Sequence, residues 1–211
     1  SGTMPDRGDG PIGVEMPRPT ARTIKAATAV SALASLVALA GPAEAASARP
    51  PLPSRTDAAF QSECVTAHNA YRARHGAPNL TTDQALVTYA RQRADQITRY
   101  DGLEGTRSSR PSQQYGQNVH WYRSFTPNRR ASCADAAKSW YNGIRSYDFA
   151  HPGFSSRTGS FTQVVWKGTT KVGCAQAAGQ GSSAYETYVV CAYKAPGNVT
   201  GRYRENVLPQ R

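Results

Sequence analysis

The chain has 211 residues, 39 % of them hydrophobic and 18 % charged, with 25 Lys+Arg against 14 Asp+Glu for a formal net charge of +11. This length suits one domain with a substantial core, no internal repeat is visible, and beyond the N-terminal region no apolar run approaches the roughly 20 residues a membrane span needs. None of the four cysteines forms a Cys-x-x-Cys pair, which sets zinc-ribbon and dithiol redox readings aside.

Residues 1–17 read as upstream sequence, with Met16 a natural start, and residues 18–48 as a secretory signal. Arg18, Arg22 and Lys25 form its basic flank, Ala26 to Ala40 is uncharged and apolar, and Ala43-Glu44-Ala45 or Ala46-Ser47-Ala48 offers small residues for cleavage. Residues 49–57 are then an extended, proline-rich lead-in and residues 58–211 the domain. Without residues 1–48 the balance is 21 Lys+Arg against 10 Asp+Glu, still +11. Such a field favours anionic partners. The arginines are spread (Arg91, Arg93, Arg99, Arg107, Arg110, Arg123, Arg129, Arg130) and not in one block, so solubility is the simpler reading.

In chain order, Asp57 caps a first helix to about His75, with Phe60, Cys64, Ala67, His68, Tyr71 and His75 at helical spacing and Gly76 and Pro78 ending it. Thr82 or Asp83 starts a second, with Leu86, Ala90, Ala94 and Ile97 as its apolar stripe. A polar loop spans residues 101–114, and a strand fits Gln117 to Tyr122. Ser132 and Asp135 form a capping box for a third helix that buries Ala136, Ala137, Trp140, Ile144 and Tyr147. Phe161 to Lys167, β-branched and aromatic, is expected as a strand, followed by strands at Lys171–Ala178 and Tyr185–Lys194. Tyr185, Thr187, Val189, Cys191 and Tyr193 share one face of the last. The elements predict an α+β fold. An even cysteine count behind a signal implies two disulfides, with three possible connectivities. Cys174 and Cys191 fall on two arms of one hairpin, which makes their bridge plausible and leaves Cys64 and Cys133 by elimination.

His68-Asn69-Ala70-Tyr71-Arg72, His75-Gly76-Ala77-Pro78 with Leu80, Tyr115-Gly116-Gln117-Asn118-Val119, Trp140, Gly159-Ser160-Phe161-Thr162-Gln163-Val164-Val165-Trp166, Val172-Gly173-Cys174, Val190-Cys191-Ala192-Tyr193 and Pro196-Gly197-Asn198 occur in order. Together they resemble the CAP superfamily of cysteine-rich secretory, insect-venom antigen 5 and plant pathogenesis-related-one proteins, over nearly all of residues 58–208. From Tyr147-Asp148-Phe149 to Asn206-Val207-Leu208-Pro209 the chain is most similar to the Golgi-associated branch. The resemblance implies a three-layer α-β-α sandwich around a central antiparallel sheet.

Many family members carry two histidines and two glutamates that can hold a divalent metal in a central cleft. Here Gln117 stands for one glutamate, Gly143 for the other and Ser160 for one histidine, and no histidine lies between Gly76 and Val119. No metal, cofactor or catalytic residue is therefore expected. A Ser160–His120 pair lacks a nucleophile elbow and an acid. His68 is expected as a hydrogen-bonded core histidine, His75 as serving the helix end, and His151 as a loop residue. Asn79 and Asn198 stand in glycosylation sequons; Asn198 also falls in the family's Pro-Gly-Asn turn, where a structural role fits as well.

Relatives that bind lipids imply a secreted, non-enzymatic protein for a sterol, fatty acid or other apolar ligand. Asn118, His120, Trp121, Phe149 and Phe154 are its possible lining. The alternative is a secreted effector or defence protein on an anionic cell surface or a protein receptor. A hydrolase ranks third, and no specific nucleic-acid partner is expected.

Overall fold

The computed structural model describes residues 48–108 and 110–211, so the signal-peptide reading lies outside the described residues. In chain order the elements are β1 (Ser54–Arg55), α1 (Ala58–Ala73), β2 (Thr81–Thr82), α2 (Gln84–Ile97), α3 (Glu104–Ser108), β3 (Gly116–Ser124) and α4 (Cys133–Tyr141). A 3₁₀ turn (Asn142–Ser146), α5 (Gly159–Val165), β4 (Lys171–Gln180), β5 (Tyr185–Lys194) and α6 (Tyr203–Asn206) complete it.

The helices start where the sequence supplies caps. Asp57 accepts the Phe60 amide, Asp83 those of Ala85 and Leu86, and Ser132 and Asp135 close the expected capping box. α1 stops at Ala73, two residues short of the expected end, and Gly76 turns the chain at φ +60°.

The sheet runs β1-β4-β5-β3, with β2 added in parallel to the start of β4. β4 and β5 are antiparallel, Cys174 opposite Cys191, and β3 pairs antiparallel with β5 along its whole length. β5 is buried on both faces. Val189, Cys191 and Tyr193 pack towards α1, α4 and α5, whereas Tyr188, Val190 and Ala192 pack towards α2. These two cores, one on each side, make the molecule a three-layer α-β-α sandwich. The expected α2 stripe of Leu86, Ala90, Ala94 and Ile97 is fully buried in the second core. Gly173 permits that packing, since a Cβ there would lie 2.2 Å from the Val87 nitrogen.

Four further expectations change, the first being the third helix: α4 ends at Tyr141, leaving Ile144 half-buried in the 3₁₀ turn and Tyr147 beyond it. Phe161–Lys167 is not a strand: α5 covers Gly159–Val165 and is buried at every position but Ser160. Its β-branched composition suits a strand, but tertiary packing overrides so weak a preference. Arg72 caps it from α1, donating Nη1–H bonds to the Val164 and Trp166 carbonyls at 3.0 and 2.9 Å. The lead-in is also more than a tether. Leu52 is buried in the second core, and Ser54 and Arg55 pair with Ala177 and Gln176 of β4. The loop at 101–114 contains the short α3.

Both disulfides are present, Cys64–Cys133 joining α1 to the start of α4 and Cys174–Cys191 bridging β4 and β5. Among the described residues no helix is long and apolar enough to cross a membrane.

Candidate functional site

Alternation along β3 decides which side chains share the central cleft. Asn118 and His120 stand opposite Cys191 and Val189, on the side of α1, α4 and α5. Gln117, Val119 and Trp121 stand opposite Ala192, Val190 and Tyr188, on the α2 side. On the first side a polar chain crosses the core. His68 Nδ1–H donates to the Cys64 carbonyl at 2.7 Å, so Nε2 accepts the Tyr193 hydroxyl at 2.8 Å. That hydroxyl accepts Asn118 Nδ2–H at 3.3 Å, and Asn118 also donates to the Ser160 carbonyl at 3.0 Å. Burial pushes the His68 imidazole down to about 4 and the Tyr193 phenol well up, so both are neutral. His68 is the hydrogen-bonded core histidine expected from sequence.

The three positions that replace the family tetrad do not converge on a metal. Gln117 Oε1 accepts Arg93 Nε–H at 3.0 Å, so a cation already occupies the place where another would bind. A Cβ at Gly143 would lie 2.9 Å from the Phe161 Cβ and 3.0 Å from the Arg157 carbonyl oxygen, leaving no room for a glutamate. Ser160 sits in the first turn of α5, its carbonyl taken by Asn118. This donor set does not fit a divalent ion by the family mode. Among the described residues, the cluster of metal-ligand side chains that does converge is Cys64, Cys133, Cys174 and Cys191, their sulfurs within 4.8 Å of one another and bound in the two disulfides.

The five lining residues are not brought together. Asn118 belongs to the polar chain. His120 is half-buried on the same face, its pKa lowered by burial against the opposing pull of the Asp135 carboxylate. Trp121 lies on the α2 side and donates its indole N–H to Glu186 at 3.1 Å. Phe149 packs between Tyr147, His75 and Phe161. Phe154 is 68 % exposed, its ring edge lying over Gly159. Of the remaining histidines, His75 ties α1 to the C-terminal segment, donating through Nδ1 to the Leu208 carbonyl at 2.6 Å and accepting the Tyr141 hydroxyl at Nε2. His151 meets Asp148 at 2.8 Å on the surface. Asn198 donates to the Gly159 carbonyl and accepts the Thr162 hydroxyl.

Two grooves with the volume for a small ligand lie elsewhere among the described residues; one of about 570 Å³ is lined by Arg49, Arg99, Asp101 and Glu104 and is strongly charged, and the other is better suited to an apolar molecule. It runs between the first half of α1 and the Leu80–Gln84 segment and encloses about 520 Å³. Its lining is mixed: Val65 and Leu80 are apolar and half-buried or buried, Gln61 is buried with its amide spent on the Cys174 backbone, and Ala58, Ser62 and Thr81 are exposed. Asn69 holds the wall by bonding both the amide and the carbonyl of Leu80. Sequence reasoning missed this groove. Its signal was Leu80, one apolar residue isolated in a polar connection.

Residues 65–193 match the model of the CAP family, described as the cysteine-rich secretory protein family. The chain is 39 % identical over 151 residues to Protein PRY2 of Saccharomyces cerevisiae, covering 71 % of this chain but 41 % of that protein. It thus spans less than half the length of this yeast relative. It is 37 % identical over 155 residues to the human Golgi-associated plant pathogenesis-related protein 1, covering 72 % of this chain and 94 % of that one. Among solved structures, that of MpPR-1i aligns with TM-score 0.50 at 21 % identity, over 72 % of this chain and 98 % of the other, a likeness of fold alone.

Proposed function

The chain belongs to the cysteine-rich secretory protein (CAP) family, and we propose that it is a secreted, non-enzymatic member that carries a sterol, fatty acid or similar apolar molecule. The observation that carries this reading is the groove between α1 and Leu80–Gln84. Its volume of about 520 Å³ falls in the range of small-molecule sites, and its mixed lining, Val65 and Leu80 beside the hydroxyl groups of Ser62 and Thr81, suits an apolar ligand with one polar end. Secretion is supported by the signal-like residues 18–48 and by two disulfides, which persist in oxidising compartments.

A non-enzymatic role is supported by the state of the cleft. Two groups that could move a proton there, His68 and Tyr193, are spent on each other and held neutral, Gln117 is engaged by Arg93 and Gly143 has no room for a side chain, while His120 lies on the same face outside this chain of bonds.

The test is equilibrium binding of labelled sterol and labelled fatty acid to the purified chain and to Ser62→Trp, at low and high salt, with and without divalent metal. Ser62 is exposed on the groove rim, so the indole fills the groove without entering the core. Saturable binding, indifferent to salt and metal and weakened about tenfold or more by the substitution, is the expected result. The Ala26–Ala40 run is common to both proteins and cancels in the comparison. Binding that ignores Ser62→Trp would sink the groove assignment, and no binding to either lipid would sink the carrier reading.

A second reading, attachment to an anionic surface, draws on the charge excess. It predicts binding that collapses with salt.

A further inference from the structure

From Gly105 to Ala134 the chain carries five arginines and no carboxylate, although its residues scatter this charge over 30 positions of sequence. The fold gathers part of it at one place. Arg123 near the end of β3 precedes a single loop, residues 124–130, that ends in Arg129 and Arg130 before α4, and all three arginines are exposed. Near the start of the loop, one residue after β3, Phe125 is 79 % exposed, the largest exposure among the big apolar side chains of the described residues.

An exposed aromatic on a floppy loop would mean little, but this loop is built. The Ser124 hydroxyl donates to the Thr126 carbonyl at 3.2 Å and accepts the Thr126 amide at 3.0 Å. The Arg129 amide returns to the Thr126 carbonyl at 3.3 Å. Pro127 and Asn128, the latter at φ +60°, stand at the centre of that turn, the residues a type II turn uses. Phe125 is therefore held outward at little entropic cost, with the Arg123 guanidinium 4.9 Å over its ring. The carboxylates near this end are already engaged. Asp101 and Glu186 pair with Arg49, Asp135 closes the capping box with Ser132, and Glu63 accepts the Cys133 and Ala134 amides.

We propose that the 124–130 loop is a docking site for anionic phospholipid bilayers, with Phe125 entering the headgroup–acyl boundary and Arg123, Arg129 and Arg130 meeting lipid phosphates. A ring flanked by arginines matches the division of a membrane interface into apolar interior and anionic surface. A soluble polyanion would call for the arginines and leave the phenyl ring unused. This site is separate from the α1 groove, and its test does not depend on what that groove carries.

The experiment is flotation of the purified full chain with phosphatidylcholine vesicles and with vesicles of phosphatidylcholine holding about one phosphatidylserine in three. The chain is compared with Phe125→Ala, Arg123→Gln/Arg129→Gln and, as a control, Phe154→Ala. The apolar run at residues 26–40 is present in every arm, so the differences between arms report on the loop. Partitioning should be greater on the anionic vesicles and fall with salt. The double arginine variant should lose roughly 25-fold, about fivefold per charge. Phe125→Ala should lose about fivefold or more, with Phe154→Ala unchanged. Phe125→Trp should show a blue-shifted emission on anionic vesicles. Equal binding to both vesicle types would overturn the proposal. So would salt-dependent binding that survives Phe125→Ala in full and is matched by soluble heparin, which would mark a polyanion surface.

Discussion

At the residue scale, Gly143 shows why the departure from the family pattern is a repacking and not a loss alone. The absent side chain lets the 3₁₀ turn rest on α5 with no room for a Cβ, 2.9 Å from Phe161. Gly143→Ala should cost about 1–3 kcal/mol by overpacking, read as a lower denaturant midpoint at unchanged m-value. Gln117→Glu should pair with Arg93 and give no gain in zinc affinity by calorimetry, because the cation is already at 3.0 Å. The sequence exposed these substitutions but not their consequence, since which atom fills a vacated position depends on partners far along the chain. His68 offers a test by pH. Its folded pKa, about 4, lies below the ordinary 6.5, so the unfolded chain binds the proton first. Its contribution is complete above pH ~6.5 and is lost as the pH falls towards 4, at up to ~1.4 kcal/mol per pH unit. His75, also lowered by burial, adds to the same slope. Unfolding midpoints measured from pH 7 to 4.5 should fall steadily, and His68→Gln should flatten that fall while lowering the midpoint at pH 7.

At the element scale, the helices with clean signals were legible: acidic or serine caps, a stripe every third or fourth residue, glycine beyond the end. The β4–β5 hairpin was legible too, from its alternation and its two cysteines. α5 was not, because a segment buried all round has no period to read and its β-branched residues suggest a strand. Its C-terminal end is closed by Arg72, which comes from α1. That guanidinium is fully buried with no carboxylate, its charge spent on the carbonyls of Pro78, Val164, Trp166 and Thr169 at 2.8–3.0 Å. Burial lowers its pKa to about 10. Arg72→Lys has one charged group where the fork reaches four oxygens, and it should destabilise by about 3 kcal/mol or more as carbonyls lose partners. Hydrogen exchange should show the loss first in residues 159–169. β1 was hidden for the opposite reason. Two residues after a proline run carry no pattern, and only β4 gives them a place.

At the scale of the whole molecule, the sandwich has two unequal cores. The one towards α2 is closed largely by a single helix on two strands, whereas the other gathers α1, α4, α5 and the C-terminal segment. The resemblance to a known family made this layering foreseeable, while the placement of a ligand groove and a basic loop followed only from three-dimensional proximity. The two disulfides meet in the larger core and differ in what they restrain. Cys174–Cys191 closes 17 residues between strands already in register, but Cys64–Cys133 closes 69 and holds two helices that no backbone ladder joins. Loop-closure entropy assigns the longer link about 4.5 kcal/mol and the shorter about 3 kcal/mol. Both pairs are fully buried, so the cavity left by Cys→Ala changes is similar and largely cancels in the comparison. Cys64→Ala/Cys133→Ala should therefore lower Tm by roughly 3–6 °C more than Cys174→Ala/Cys191→Ala does, measured by thermal unfolding at pH 7. The reverse order would mean that contacts of the hairpin bridge inside the core, and not restraint of the unfolded chain, set the contribution of each bond.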